Sequence, residues 1–213
     1  MVMHNPPRNF ATFAQQLFDD GYSILPLDGK APKIAGWQKV TIDQSQIDAW
    51  IKSYPGWNIG LRCDAVVMLD IDVPDELEAS RLLKQTQAIC PGGLVRRRGD
   101  SGKLAYLAGR KSDADSEAYR RTGEKQYEHE NGTMVEFFDH SGLQMGIYSH
   151  GLDGGDYAWD GGSPLTVPLA KLPLVSCEQW GRLRQLMVNQ GYRARRPAKT
   201  LRSHHAFEPP GAG

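Results

Sequence analysis

Cysteine is scarce in this chain and disulfide logic is absent. Three cysteines, Cys63, Cys90 and Cys177, are spread over 213 residues. An odd number so far apart fits a reduced, cytoplasmic setting better than a stapled framework. No C-x-x-C pair or Cys/His spacing suggests zinc. No apolar run approaches a membrane span and no signal peptide is visible, so no membrane partner is expected. An excess of one charge is also missing: Lys plus Arg and Asp plus Glu both total 25. A zero sum does not exclude nucleic acid, because clustering matters more than the total. The charge is unevenly spread. Arg193, Arg195, Arg196, Lys199 and Arg202 fall in one acid-free stretch, and Asp64, Asp70, Asp72, Asp75, Glu76 and Glu78 in one base-free stretch. No internal repeat is present. The length fits one domain with a tail and suffices for a real core.

The pattern of apolar residues predicts an α+β fold. Residues 8–20 have helical spacing, with Gly21 as a stop, and 22–27 read as a short strand. Residues 28–37 form a loop rich in Gly and Pro. Thr41 is a candidate cap for a helix over 43–53. Strands are expected at 58–61 and 65–71, and a helix with an acidic first turn at 74–88. Residues 92–98 and 103–107 form a hairpin around Gly99-Asp100-Ser101-Gly102. Residues 111–132 read as a loop with one helical turn. Residues 134–138 and 144–148 form a second expected hairpin, and 157–159 a last strand. A helix over 176–189 precedes a basic, disordered tail over 193–213. Strands linked mostly by hairpins, with helices before and after, define the class.

The stretch VVMLDID, residues 66–72, puts two carboxylates at the end of an apolar run. Side chains at i and i+2 of a strand face the same way, so Asp70 and Asp72 stand roughly 6–7 Å apart on one side. Like charges that close repel unless something neutralises them. A divalent cation is the usual solution, and Mg²⁺ or Mn²⁺ prefers carboxylates, water and phosphates. The bland alternative is a solvated strand end leading into a helix. Glu136, flanked by apolar residues in MVEFF, supplies a third acid on an expected strand. Its alternative is an edge glutamate facing solvent. Three such acids on neighbouring strands suit two-metal phosphoryl transfer.

Basic and small residues accompany them. The hairpin at 95–107 carries Arg96, Arg97, Arg98 and Lys103 around a Gly-rich turn that suits a triphosphate. A solvated basic hairpin is the plainer reading. The spacing is not that of a Walker A loop. Lys30 and Lys33 with Trp37 are candidates for holding a template strand, although Trp37 reads better as a core anchor. His150 follows an expected strand and is a candidate phosphate or sugar contact.

Taken in order, G-Y-S-I-L-P-L, G-K-A-P-K, N-I-G-L-R, V-V-M-L-D-I-D, R-R-R-G-D-S-G-K, V-E-F-F and Y-S-H-G-L-D-G-G-D-Y-A-W resemble one family. It is the N-terminal bifunctional DNA primase/polymerase (prim-pol) domain of the archaeo-eukaryotic primase superfamily, common in phages and plasmids. The resemblance runs from Gly21 to Trp159. It implies a primase-like core: an RNA-recognition-like antiparallel or mixed sheet with flanking helices, plus a small α/β unit. The catalytic domain would cover 1–175, a C-terminal helix 176–192 and a basic tail 193–213.

The family's D-x-D motif falls on Asp70 and Asp72 as metal ligands, and its hydrophobic-acid motif on Glu136. Its small-x-His motif falls on Ser101-Gly102-Lys103, with lysine where histidine is usual. The resemblance thus implies a template-dependent nucleotidyltransferase using two Mg²⁺ or Mn²⁺ ions. Arg98, Ser101, Lys103 and His150 would hold the triphosphate, and Lys30 and Lys33 the single-stranded DNA template. A replicative helicase is expected in trans or in a longer chain, with phage or plasmid replication in a bacterial cytoplasm as the setting. Two rivals remain open: an inactive primase-like single-strand-binding module, and a metal-dependent nuclease.

Overall fold

The computed structural model describes residues 9–99, 101–111, 116–148 and 157–195. Local sequence explains most element ends. Helix α1 (Phe10–Asp19) starts where the Asn9 side chain accepts from Thr12 N, and it buries Phe10, Ala14 and Leu17 along one stripe. Gly21, at φ 90°, supplies the left-handed turn that leads into β1 (Ile24–Leu27). Helix α2 (Gln44–Ser53) is capped by Asp43, not Thr41, because the Asp43 carboxylate accepts from Gln46 N. Strands β2 (Asn58–Arg62) and β3 (Val66–Asp72) follow. Helix α3 (Glu76–Ile89) has Asp75 as its cap and Glu76 and Glu78 in its first turn.

The second half is mostly strand. β4 (Leu94–Arg98) and β5 (Leu104–Arg110) form the expected hairpin. The weakly patterned stretch holds the one-turn α4 (Ser116–Arg120) and also β6 (Gln126–Glu128), which the sequence pattern does not announce. β7 (Met134–Phe138), β8 (Gln144–Tyr148), β9 (Tyr157–Asp160) and β10 (Leu174–Val175) lead to α5 (Cys177–Asn189). A capping box of Ser176 and Gln179 starts α5. β11 (Arg193–Ala194) then pairs with β6, so the first residues of the expected tail belong to the sheet.

Two sheets result. A three-stranded antiparallel sheet has the order β1-β2-β8. Pro26 is tolerated because β1 is an edge strand. The large sheet has the order β11-β6-β7-β3-β5-β4-β9, with β10 running parallel to β5. The expected second hairpin does not form: β7 pairs with β3 and β6, whereas β8 crosses to β2. The intervening turn redirects the chain from one sheet to the other. β2 and β3 are likewise divided between the sheets.

Alternation along β3 assigns the two faces of the large sheet. Val67, Leu69, Ile71 and Val73 point into a core shared with α3, α4 and α5. Val66 and Met68 point into a second core built from α1, α2 and the small sheet. On the helical side, Asp139 and Arg184 form a buried pair at 2.7 Å, and Trp180 Nε1 donates to the same carboxylate at 2.9 Å. That network ties α5 to the end of β7. No helix among the described residues is long and apolar enough to cross a membrane.

Candidate active site

Asp70 and Asp72 continue the Val66–Met68 side of β3 beyond the point where the small sheet covers it. The apolar stripe therefore ends in carboxylates at the mouth of the gap between the sheets. Register brings further polar groups to the same face. Asp70 lies opposite Glu136 on β7 and opposite Ala105 on β5. Ala105 in turn lies opposite Arg96 on β4. One row across the sheet thus reads Glu136, Asp70, Ala105, Arg96. One step along, Lys103 stands beside Asp72, and the Lys103 carbonyl accepts from Arg98 N at 3.2 Å.

These side chains line a cleft of about 350 Å³. Lys30, Arg96, Arg98, Lys103 and Lys125 supply its positive charge, and Asp70, Asp72 and Glu136 its negative charge. Cations outnumber acids, so the cleft attracts a polyanion. Each acid already faces a cation. Lys103 Nζ lies 2.6 Å from Asp72 Oδ1, Arg96 Nη2 3.4 Å from Asp70 Oδ1, and Lys125 Nζ 3.4 Å from Glu136 Oε1. Gln126 also donates to Glu136 at 2.7 Å. Burial pushes the Asp70 carboxyl above its ordinary value; Arg96 opposes this, and Glu136 and Asp72 add to it.

Among the described residues, no three Asp, Glu, His or Cys side chains converge closely enough to hold a metal ion as they stand. The ion pairs explain this, because each carboxylate leans toward its own cation. The donor set still fits a hard divalent ion: all three are carboxylates on one face. Asp72 Oδ1 is buried against the Lys103 ammonium at 2.6 Å.

Other expected site residues are placed unevenly. Lys30 lines the cleft from the small-sheet side, where its carbonyl accepts from Gln144. Lys33 is exposed and is not among the lining residues. Trp37 packs on the core, and its carbonyl accepts from Arg62. Ser101 turns its hydroxyl back onto the Arg98 carbonyl at 2.8 Å and does not line the cleft. Gly102 lets the hairpin approach α3, since a Cβ there would meet the Pro74 carbonyl oxygen at 2.6 Å. His150 lies outside the described residues.

The family model for the bifunctional DNA primase/polymerase N-terminal domain matches residues 14–175. This chain belongs to the prim-pol family. Membership assigns it, at a general level, to the DNA primases and polymerases of replication, and the mixed sheet-and-helix architecture agrees with a primase-like core. Comparison with curated proteins gives no match.

The sequence pattern places Arg96 only within the basic hairpin and does not mark Lys125. Arg96, 4% exposed, donates to the Gly146 carbonyl on β8, stacks 4.0 Å over the Tyr157 ring and leaves Nε without a partner. The signal was available: Arg96 and Arg98 are an i, i+2 pair on the acidic face. Lys125 gave no signal, because it precedes a three-residue strand in unpatterned sequence.

Proposed function

We propose that this chain is a template-dependent nucleotidyltransferase that makes DNA primers, extends them, or both. The supporting observation is that Glu136, Asp70 and Asp72 share one face of the sheet at a cleft ringed by five cations. Asp70, Asp72 and Glu136 would hold Mg²⁺ or Mn²⁺, two ions in the full complex, whose charge would activate a 3′-hydroxyl and offset charge on the phosphates. Arg98 and Lys103 would hold the β- and γ-phosphates of the incoming nucleotide. Lys103 would leave Asp72 to do so, exchanging one anion for another. Arg96 would orient Asp70 through their 3.4 Å contact. His150 would add a sugar or phosphate contact, and Ser101 would act by shaping the turn. Lys30, Lys33 and the basic tail would contact template phosphates, so binding should weaken with salt. A replicative helicase partner and a phage or plasmid setting complete the proposal.

The Lys103–Asp72 contact also favours a second reading: a weak or inactive primase-like module that binds single strands. An incorporation assay on a single-stranded template, with Mn²⁺ or Mg²⁺ and with or without a primer, separates the two. Products lost in Asp70→Ala/Asp72→Ala support the transferase, and products without primer support priming. No product under any condition, with normal strand binding in both proteins, leaves the binding module. Degradation without nucleotide triphosphate would instead indicate a nuclease.

A further inference from the structure

A second cavity, of about 420 Å³, opens beside the cleft and shares Lys125 with it. Arg120 and Arg121 line its rim and are exposed. Its floor is rigid. Arg184, 3% exposed, donates to the Glu124 carbonyl, the Thr122 hydroxyl and the Asp139 carboxylate. Gly123 makes this packing possible: its φ is 152°, and a Cβ would meet Arg184 Cδ at 2.7 Å. His140 accepts from Gly142 N through Nδ1, which leaves its other ring nitrogen as the donor when neutral. Burial holds His140 below its ordinary value, so the neutral form is favoured. Glu124 and the paired Asp139 are the acids of its lining, and Glu117 lies 3.5 Å from Arg120.

Strand order gives this groove a direction. Arg98 and Lys103 lie on the β4–β5 side of the acidic row, and Lys125 lies on the β6–β7 side. In phosphoryl transfer the attacking and leaving oxygens stand roughly in line, on opposite sides of phosphorus. With the leaving pyrophosphate held at Arg98 and Lys103, the attacking 3′-hydroxyl must arrive from the side of Glu136 and Lys125.

We propose that this groove binds the backbone of the growing strand just behind its 3′ end. Lys125 takes the phosphate nearest the acidic row, and Arg120 and Arg121 take those behind it. The proposal rests on the transferase reading. In the balanced step, the 3′-oxygen bonds to the α-phosphorus, its proton is lost to solvent, and the bond to pyrophosphate breaks.

The test uses the full chain with Arg120→Ala/Arg121→Ala, and Arg120→Lys/Arg121→Lys as the conservative control. A labelled primer–template and the unprimed template are titrated against each protein over a salt series. KM is then measured separately for primer–template and nucleotide. The alanine variant is expected to bind primer–template roughly tenfold more weakly at low salt, with a salt slope shallower by about 1.8. Its affinity for unprimed template, its KM for nucleotide and its thermal stability should stay at wild-type values. The lysine variant should recover primer binding. Unchanged primer–template affinity and slope would overturn the proposal while leaving incorporation intact. Equal weakening with and without primer would also overturn it, assigning the groove to the template. Wild type without incorporation would defeat the transferase reading instead; the binding arm reads the groove independently.

Discussion

Arg96 reaches Asp70 across Ala105, the small residue that stands between them in the sheet. The same guanidinium holds the Gly146 carbonyl of the other sheet. One side chain therefore fixes a carboxylate of the acidic row and fastens the two sheets together. Replacing Arg96 with Met leaves the Gly146 carbonyl and Asp70 without their donor. The expected cost is about 2 kcal/mol, read from urea unfolding. Ala105→Leu should push the pair apart and cost about 1–3 kcal/mol through overpacking.

Asp70 gives a pH dependence of defined sign. Its carboxyl is held above the ordinary value of 3.8, chiefly by burial. The folded protein therefore keeps the proton more tightly than the unfolded chain. That contribution to stability is fully present below the ordinary value and is lost as pH rises through the folded-state value. Metal-free Asp70→Asn should accordingly be more stable than wild type at neutral pH, with the gap closing as pH falls toward the ordinary value. Thermal unfolding across a pH series with chelator checks this.

Lys103 competes with metal for Asp72 and would serve the triphosphate. Lys103→Met should therefore separate two affinities: Mn²⁺ alone binds more tightly, and nucleotide with Mn²⁺ binds more weakly. Calorimetric titrations of each would show it. Parallel loss of both would mean that the lysine merely supports the fold.

Gly102 has an ordinary φ, so Gly102→Ala acts by collision and not by backbone strain. Its Cβ would strike the Pro74, Asp75 and Glu76 backbone at 2.6–2.8 Å. A loss of about 1–3 kcal/mol is expected, with nucleotide affinity reduced because Lys103 moves with the turn. Urea unfolding and nucleotide titration measure the two effects.

Much of this site was legible before the fold was known. Period-2 alternation put Asp70 and Asp72 on one side of a strand, and the apolar flanks of Glu136 put it on another. What the sequence could not supply was pairing. The β7–β8 turn looks like a hairpin because both flanks are strand-like, yet β8 completes a sheet with β1 and β2. Lys125 was hidden for a related reason: β6 is too short to show periodicity, and its position comes from β7 and β11. Arg97 looks equivalent to Arg96 and Arg98 in a charge run, but alternation turns it away to Asp160, at 2.6 Å.

The most direct test of the central claim is Mn²⁺ binding followed by electron paramagnetic resonance, with a nonhydrolysable nucleotide triphosphate present. Wild type is compared with Glu136→Gln and Asp70→Asn/Asp72→Asn. The account predicts tight binding in wild type that is lost in both variants while their folds persist. Equal Mn²⁺ binding by all three proteins would contradict it, because the acidic row would then not be the metal centre.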